Sequence, residues 1–255
     1  YLCRVRYFIS LAYNGTPFHG WQRQPNATSV QATLEDALST LLRQPVAIMG
    51  AGRTDTGVHA KQMVAHFDVD LDPKTEANLV HMLNRYLDEN IVIYSIRAVK
   101  EGIHARFDAI QRTYEYHIAF QKNPFKQNTH LILHTSLDID LMNEAAKLLL
   151  EHNDFEAFSK THTDVKTFLC DISYAHWVAR EDGAIFTITA NRFLRNMVRA
   201  IVGTLLDVGT KKITVEEVNR IIASKDRGQA GFSVPACGLY LTQICYPEKV
   251  YKEMK

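Results

Sequence analysis

Nowhere in the 255 residues do about eighteen apolar side chains follow one another, the length a helix needs to span a bilayer. The start, Tyr1-Leu2-Cys3-Arg4-Val5-Arg6, has no charged region leading into an apolar one with a cleavage site. The expectation is a protein that is neither secreted nor held in a membrane. Cysteine is scarce: Cys3, Cys170, Cys237 and Cys245 lie far apart with no C-x-x-C pair. That argues against a disulfide framework and a structural zinc site, and fits a reducing cytoplasm. No predicted helix carries a His-x-x-x-His pair, so no metal is expected and His19, His59 and His104 are not read as ligands. Low-complexity runs are missing as well, which leaves nearly the whole chain available to a packed fold.

An excess of one charge is also missing, since the net charge is +1. Its distribution is less even. Residues 190–212 set Arg192, Arg195, Arg199, Lys211 and Lys212 against Asp207 alone. Residues 1–65 set Arg4, Arg6, Arg23, Arg43, Arg53 and Lys61 against Glu35, Asp36 and Asp55. Two basic segments on a near-neutral chain are compatible with a polyanion-binding face and equally with solvated surface.

What is present reads as alternating strands and helices. Arg4–Tyr13 is a β-branched and aromatic strand closed by Asn14-Gly15. Ser29 caps a helix whose Val30, Leu34, Leu38, Leu41 and Leu42 keep helical spacing, and Pro45 stops it. Strands Val46–Gly50 and Gln62–Val69 flank a polar loop, Ala51–Ala60. A helix over Thr75–Leu87 and a strand over Ile91–Val99 complete a β-α-β-β-α-β unit. Beyond it, strand Arg112–Phe120, helix Asp140–His152, strands Leu169–Arg180 and Ile185–Ala190, helices Leu194–Val208 and Val215–Ala223, and strand Leu239–Cys245 form a second set. The expected fold is α+β: two similar α/β-sandwich halves, residues 1–105 and 106–255, with mostly antiparallel mixed sheets and helices packed on one face.

The chemistry concentrates in Gly50-Ala51-Gly52-Arg53-Thr54-Asp55-Thr56-Gly57-Val58-His59-Ala60. Its glycines permit a tight backbone from which Arg53, Asp55 and His59 project. An aspartate among glycines is often only a turn residue. The Gly52 to Gly57 spacing matches a phosphate loop, but Val58-His59 stands where Lys-Ser/Thr is required. Asp55-Thr56-Gly57 spells the aspartic-protease triplet, yet Arg53 would set a cation beside a dyad that must share one proton, and no second triplet exists. An ionised aspartate beside an arginine suits another use, as a nucleophile or base ready at neutral pH.

That stretch resembles the signature of the tRNA pseudouridine synthase A family. Further segments resemble it in order: Tyr13-Asn14-Gly15, Phe18-His19-Gly20-Trp21-Gln22-Arg23-Gln24, Ser29-Val30-Gln31, Leu34-Glu35, His104-Ala105-Arg106-Phe107, Arg112-x-Tyr114-x-Tyr116, Asn196-Met197-Val198-Arg199 with Ile201-Val202-Gly203, and Gly238-Leu239-Tyr240-Leu241. Thr56 stands where Ala or Ser is common, and Ile103 where Phe is.

The resemblance implies the pseudouridine synthase fold, isomerisation of uridines at positions 38, 39 and 40 of the tRNA anticodon arm, a homodimer, and no cofactor. It gives Asp55 the role of catalytic carboxylate and Arg53 that of filling the stack vacated by an extruded base. Tyr114 packs against that base, Leu241 (or Leu239) forms its floor, and Arg199 pairs with the aspartate. Arg106 and His59 are expected RNA contacts, His59 alternatively structural. Trp21 and Phe18 are open to base stacking or to core packing. Arg192, Arg195 and Arg199 are expected on one helical face, and Lys211 and Lys212 on phosphates. The rival reading is a catalytically inactive RNA-binding protein on the same fold.

Overall fold

The computed structural model describes residues 4–161 and 165–252. Cys3 and the first residues, on which the reading of the chain start rests, lie outside the described residues. Two compact units form, Tyr1–Ile110 with Leu241–Lys255, and Gln111–Tyr240.

The first unit opens with β1 (Val5–Tyr13), α1 (Val30–Leu42), β2 (Met49–Gly50), β3 (His59–Val69), α2 (Pro73–Tyr86) and β4 (Ile91–Ala98). Strand β1 pairs antiparallel with β3, from Val5↔Val69 to Tyr13↔Ala60, and with β4, from Tyr7↔Ala98 to Tyr13↔Ile91. Ser29 caps α1 as its spacing predicts, its hydroxyl accepting from Ala32 N–H at 3.3 Å. Asp72 caps α2, with Pro73 in the first turn, where its missing N–H costs nothing. The helices bury Val30, Leu34, Leu38, Leu79 and Leu83, and the strands bury Ile9, Leu11, Met63 and Phe67. Each such side chain contributes roughly 1.5–3 kcal/mol of burial.

The expected strand Val46–Gly50 shrinks to two residues. Helix α1 intercepts its donors: Val46 N–H binds Ser39 Oγ at 3.0 Å and Ile48 N–H binds Glu35 Oε1 at 3.1 Å. Only Met49 and Gly50 remain to pair with His66 and Ala65.

The second unit holds β5 (Gln111–Ala119), β6 (Leu131–Ile132), α3 (Ile139–Leu148), β7 (Ile172–Arg180), β8 (Gly183–Ala190), α4 (Met197–Gly209) and α5 (Val215–Ser224). Strand β8 lies antiparallel between β5 and β7, and β6 adds a short parallel pairing to β5. A side chain at Gly183 would meet the Ile118 carbonyl at 2.0 Å, so the β7–β8 turn requires glycine there. Asn143 of α3 brackets Trp177, donating to its carbonyl at 3.1 Å and accepting from its N–H at 2.7 Å. Thr214 closes a capping box with Glu217 at the start of α5.

Helix α4 starts at Met197 rather than Leu194. Asn196 has φ 68°, a left-handed conformation that asparagine tolerates and that an α-helix cannot pass through. Arg192 and Arg195 therefore precede the helix, and the expected stripe of three arginines on one helical face does not form.

The last strand, β9 (Leu239–Cys245), has the predicted bounds, but from Leu241 onward the chain belongs with the first unit rather than with a continuous half 106–255. There β9 lies beside β3. Ile244 N–H donates to Gln62 Oε1 at 2.8 Å, Ile110 N–H to the Cys245 carbonyl at 2.9 Å, and Tyr246 Oη–H to the Ala105 carbonyl at 2.6 Å. The architecture is thus α+β with mostly antiparallel pairing, and among the described residues no helix is long and apolar enough to cross a membrane.

Candidate active site

The polar loop between β2 and β3 is braced by the end of β1 and the segment that follows it. Thr54 is the centre: its carbonyl accepts from Trp21 N–H at 3.1 Å, and its hydroxyl shares a buried 2.8 Å hydrogen bond with Tyr13 Oη. Gly20 lies against the same backbone. With φ at 85°, a Cβ there would be 2.5 Å from the Thr54 carbonyl oxygen and 3.1 Å from the Asp55 carbonyl carbon. Gly50 admits the Trp21 indole, whose ring atoms would be 2.6 Å from a Cβ. At the far end, Asp55 C=O accepts from Val58 N–H at 3.1 Å, and Gly57, at φ 78°, completes the turn.

This framing alternates the loop side chains. Thr54 and Val58 are buried, Arg53 and Thr56 are exposed, and Asp55 is half-buried. Trp21 and Phe18 are 2% and 3% exposed, which assigns them to packing rather than to base stacking. The histidine-glycine-tryptophan motif thus serves as the abutment of the aspartate loop. His59 is buried too, its Nδ1 accepting from Gly15 N–H at 3.0 Å, so its visible part is in that frame. Because Gly20 can gain no Cβ without moving Thr54, Gly20→Ala is expected to lower the unfolding free energy by at least about 1–2 kcal/mol, the cost of a left-handed non-glycine residue. Denaturant titration checks this, and an unchanged midpoint would contradict the bracing.

Elsewhere in this unit, His66 Nδ1 accepts from Ala105 N–H at 3.1 Å, and its ring meets His104 edge-on at 4.6 Å. Burial, with Arg6 nearby, lowers His66 to about 4, so it is neutral at physiological pH. His104 Nδ1 accepts from Arg106 N–H at 3.0 Å while Phe107 lies tilted against its ring. The Arg106 side chain is exposed, its guanidinium carbon 5.7 Å from the Phe107 ring centre. Leu241 of this unit is buried at 1% exposed, as is Leu239 of the second unit at 6%.

Two expected residues belong to the second unit. Tyr114, half-buried on β5, has Phe193 edge-on at 5.1 Å and 87°. Arg199, in the first turn of α4, donates from Nε to the Val234 carbonyl at 2.7 Å, and Val234 N–H returns a bond to the Arg199 carbonyl at 3.2 Å. No pattern in the sequence points to Val234. Arg192 turns to the Thr167 carbonyl at 3.3 Å. Lys211 and Lys212 each face a carboxylate of their own unit, Asp138 at 3.3 Å and Asp207 at 3.1 Å. The basic segment is thus partly neutralised by intramolecular pairs.

Comparison with known proteins gives the family. A family profile described as tRNA pseudouridine synthase matches residues 9–108 and 145–247. A protein named tRNA pseudouridine synthase A from Porphyromonas gingivalis is 54% identical over 97% of this chain and 99% of its own length. Its namesake from Bacteroides thetaiotaomicron is 53% identical over 97% and 93%. The one from Bacillus subtilis is 37% identical over 95% and 99%. The matched regions contain the Asp55 loop, its abutment and the Arg199 helix, and this chain belongs to the tRNA pseudouridine synthase A family.

Proposed function

We propose that the protein isomerises uridine to pseudouridine at positions 38, 39 and 40 of the tRNA anticodon stem-loop, with Asp55 as the catalytic carboxylate. The observation that carries this is the loop itself: the aspartate that the family resemblance singles out is half-buried next to Thr54, whose hydroxyl is held in a buried hydrogen bond, within the matched range. The reaction breaks the uridine C1′–N1 bond, forms C1′–C5, removes the proton from C5 and places one on N1. Nothing is oxidised or consumed. Attack on the sugar C1′, addition at C6 of the base and abstraction of a sugar proton all need the aspartate ionised.

A stem uridine must leave its stack before it can react, at a cost of a few kcal/mol. Arg53, exposed beside Asp55, suits the place the base vacates. Tyr114, edge-on to Phe193, offers a supported ring for the extruded base, and Leu241 an apolar floor. The family resemblance gives Arg199 the role of partner to the aspartate. Arg106 is a backbone contact, and His59 assists from within the frame. The protein works as a homodimer in the cytoplasm with tRNA as substrate. A catalytically inactive RNA-binding protein would need neither the ionised aspartate nor its partner.

Because the isomerisation needs no electron carrier and no helix expected from the sequence carries a His-x-x-x-His pair, activity is expected to survive EDTA once the tRNA has been refolded in magnesium. A dialysed enzyme that required added zinc or a nucleotide would overturn this. The function itself is tested in cells lacking the gene: pseudouridine should disappear from positions 38–40, and unchanged anticodon arms would contradict the assignment.

A further inference from the structure

The Arg199 side chain is held by a segment that is itself held. Tyr116 is 0% exposed, and its Oη–H donates to the Pro235 carbonyl at 2.9 Å. The Val234 carbonyl, in the peptide unit just before, takes the Arg199 Nε–H at 2.7 Å. That peptide unit is planar and includes the proline nitrogen, and the ring fixes the next torsion, observed at φ −51°. Between the two carbonyls only stiff bonds and one ψ intervene, so fixing the second restrains the first. Gly238 lets the segment close onto the tyrosine: a Cβ there would be 2.8 Å from Tyr116 Cζ. On the other side Arg227 donates to the Ala230 and Gly231 carbonyls and to Ser233 Oγ, which also accepts from Asn196 Nδ2 at 2.6 Å.

We propose that Tyr116 is a positioning residue, whose hydroxyl fixes the plane of the Arg199 guanidinium through the Pro235 and Val234 carbonyls. Its consequence for turnover rests on the reading of Arg199 given above; its structural part does not. Burial pushes the Tyr116 hydroxyl well above the usual tyrosine pKa, so it stays a neutral donor through the working range. The ring packs in the core, and the single oxygen is what serves the arginine.

Tyr116→Phe removes only that oxygen. The full-length protein, labelled for arginine side-chain NMR, should show the Arg199 Nε–H resonance, assigned by its loss in Arg199→Lys, displaced in Tyr116→Phe while other arginine resonances stay. The single-turnover rate on tRNA should fall about three- to tenfold with affinity unchanged. In an Arg199→Lys background the same change should cost less than about twofold, because coupled residues are not additive. Gly238→Ala, which displaces the hydroxyl without deleting it, should move the same resonance and provides a reading if Tyr116→Phe folds poorly. An unmoved resonance in both variants, or an equal rate loss in both backgrounds, would overturn the proposal. A moved resonance, with neither Tyr116→Phe nor Arg199→Lys slowing the rate, would support the positioning and overturn Arg199's part in the chemistry.

Discussion

Asp55→Asn is expected to abolish turnover while leaving folding and tRNA affinity near wild type. The substitution keeps shape and removes charge. Bonds through the Thr54 hydroxyl, the Thr54 carbonyl and the Asp55 carbonyl help frame the loop, and these do not depend on the carboxylate being charged. Folding should therefore register little. Catalysis should register nearly everything, because an amide neither attacks carbon nor accepts a proton at neutral pH. Loss of an essential nucleophile or base exceeds about 100-fold, or about 2.7 kcal/mol of activation free energy. Single-turnover assays with enzyme in excess, filter binding and thermal unfolding separate the three quantities. Retention of more than about one hundredth of the wild-type rate would show that the aspartate only completes a turn.

Arg199→Lys is expected to have the next largest effect, on rate rather than binding. Lysine keeps the charge but has no Nε to place on the Val234 carbonyl and no planar fork for a carboxylate. A charge-assisted hydrogen bond contributes about 1.5–3 kcal/mol, so the single-turnover rate should fall roughly ten- to hundredfold with tRNA affinity barely changed. The double change Lys211→Ala with Lys212→Ala should do the reverse. It should weaken binding and lower the salt slope by roughly one ion for each phosphate left without its lysine. Both lysines are well exposed and lie opposite aspartates. Such pairs are weak in water and exchange readily for phosphate, while the aspartates left behind would repel RNA. If Arg199→Lys instead shifted affinity and salt slope and left the rate intact, Arg199 would be a phosphate contact only.

Local signals carried the secondary structure far. The Ser29 cap and the bounds of β9 follow from residue chemistry that acts within a few positions, whereas α2 starts at Pro73 behind an Asp72 cap, ahead of the expected Thr75. What local pattern could not carry was competition from a distance. Val46–Ile48 has strand composition, but Ser39 and Glu35 of α1 take its donors. Leu194–Asn196 has helical periodicity, but the left-handed turn at Asn196, with its amide bound to Ser233, delays α4. The final strand returns to the first unit because Gln62 and Ile110 receive it there, pairings that no window of neighbouring residues contains.

The candidate site was legible in the same uneven way. The motif named the aspartate and its loop, since glycines at 50, 52 and 57 flag a tight backbone. It did not say that Trp21 and Phe18 are buried, because an aromatic in a polar segment suits stacking and packing equally. Nor did it disclose that Gly20 and Tyr13 brace Thr54, or that Tyr116 and Val234 stand behind Arg199. Those residues act through backbone carbonyls and close approach, which leave no mark in residue type.

The central claim meets its most direct test with purified protein and an unmodified tRNA transcript carrying uridines at 38, 39 and 40 and elsewhere, mapped for pseudouridine at nucleotide resolution after incubation. Conversion confined to those positions, absent with Asp55→Asn, is the predicted result. Wild-type protein that binds the transcript and leaves every uridine unconverted, or converts uridines outside the anticodon arm instead, would contradict it.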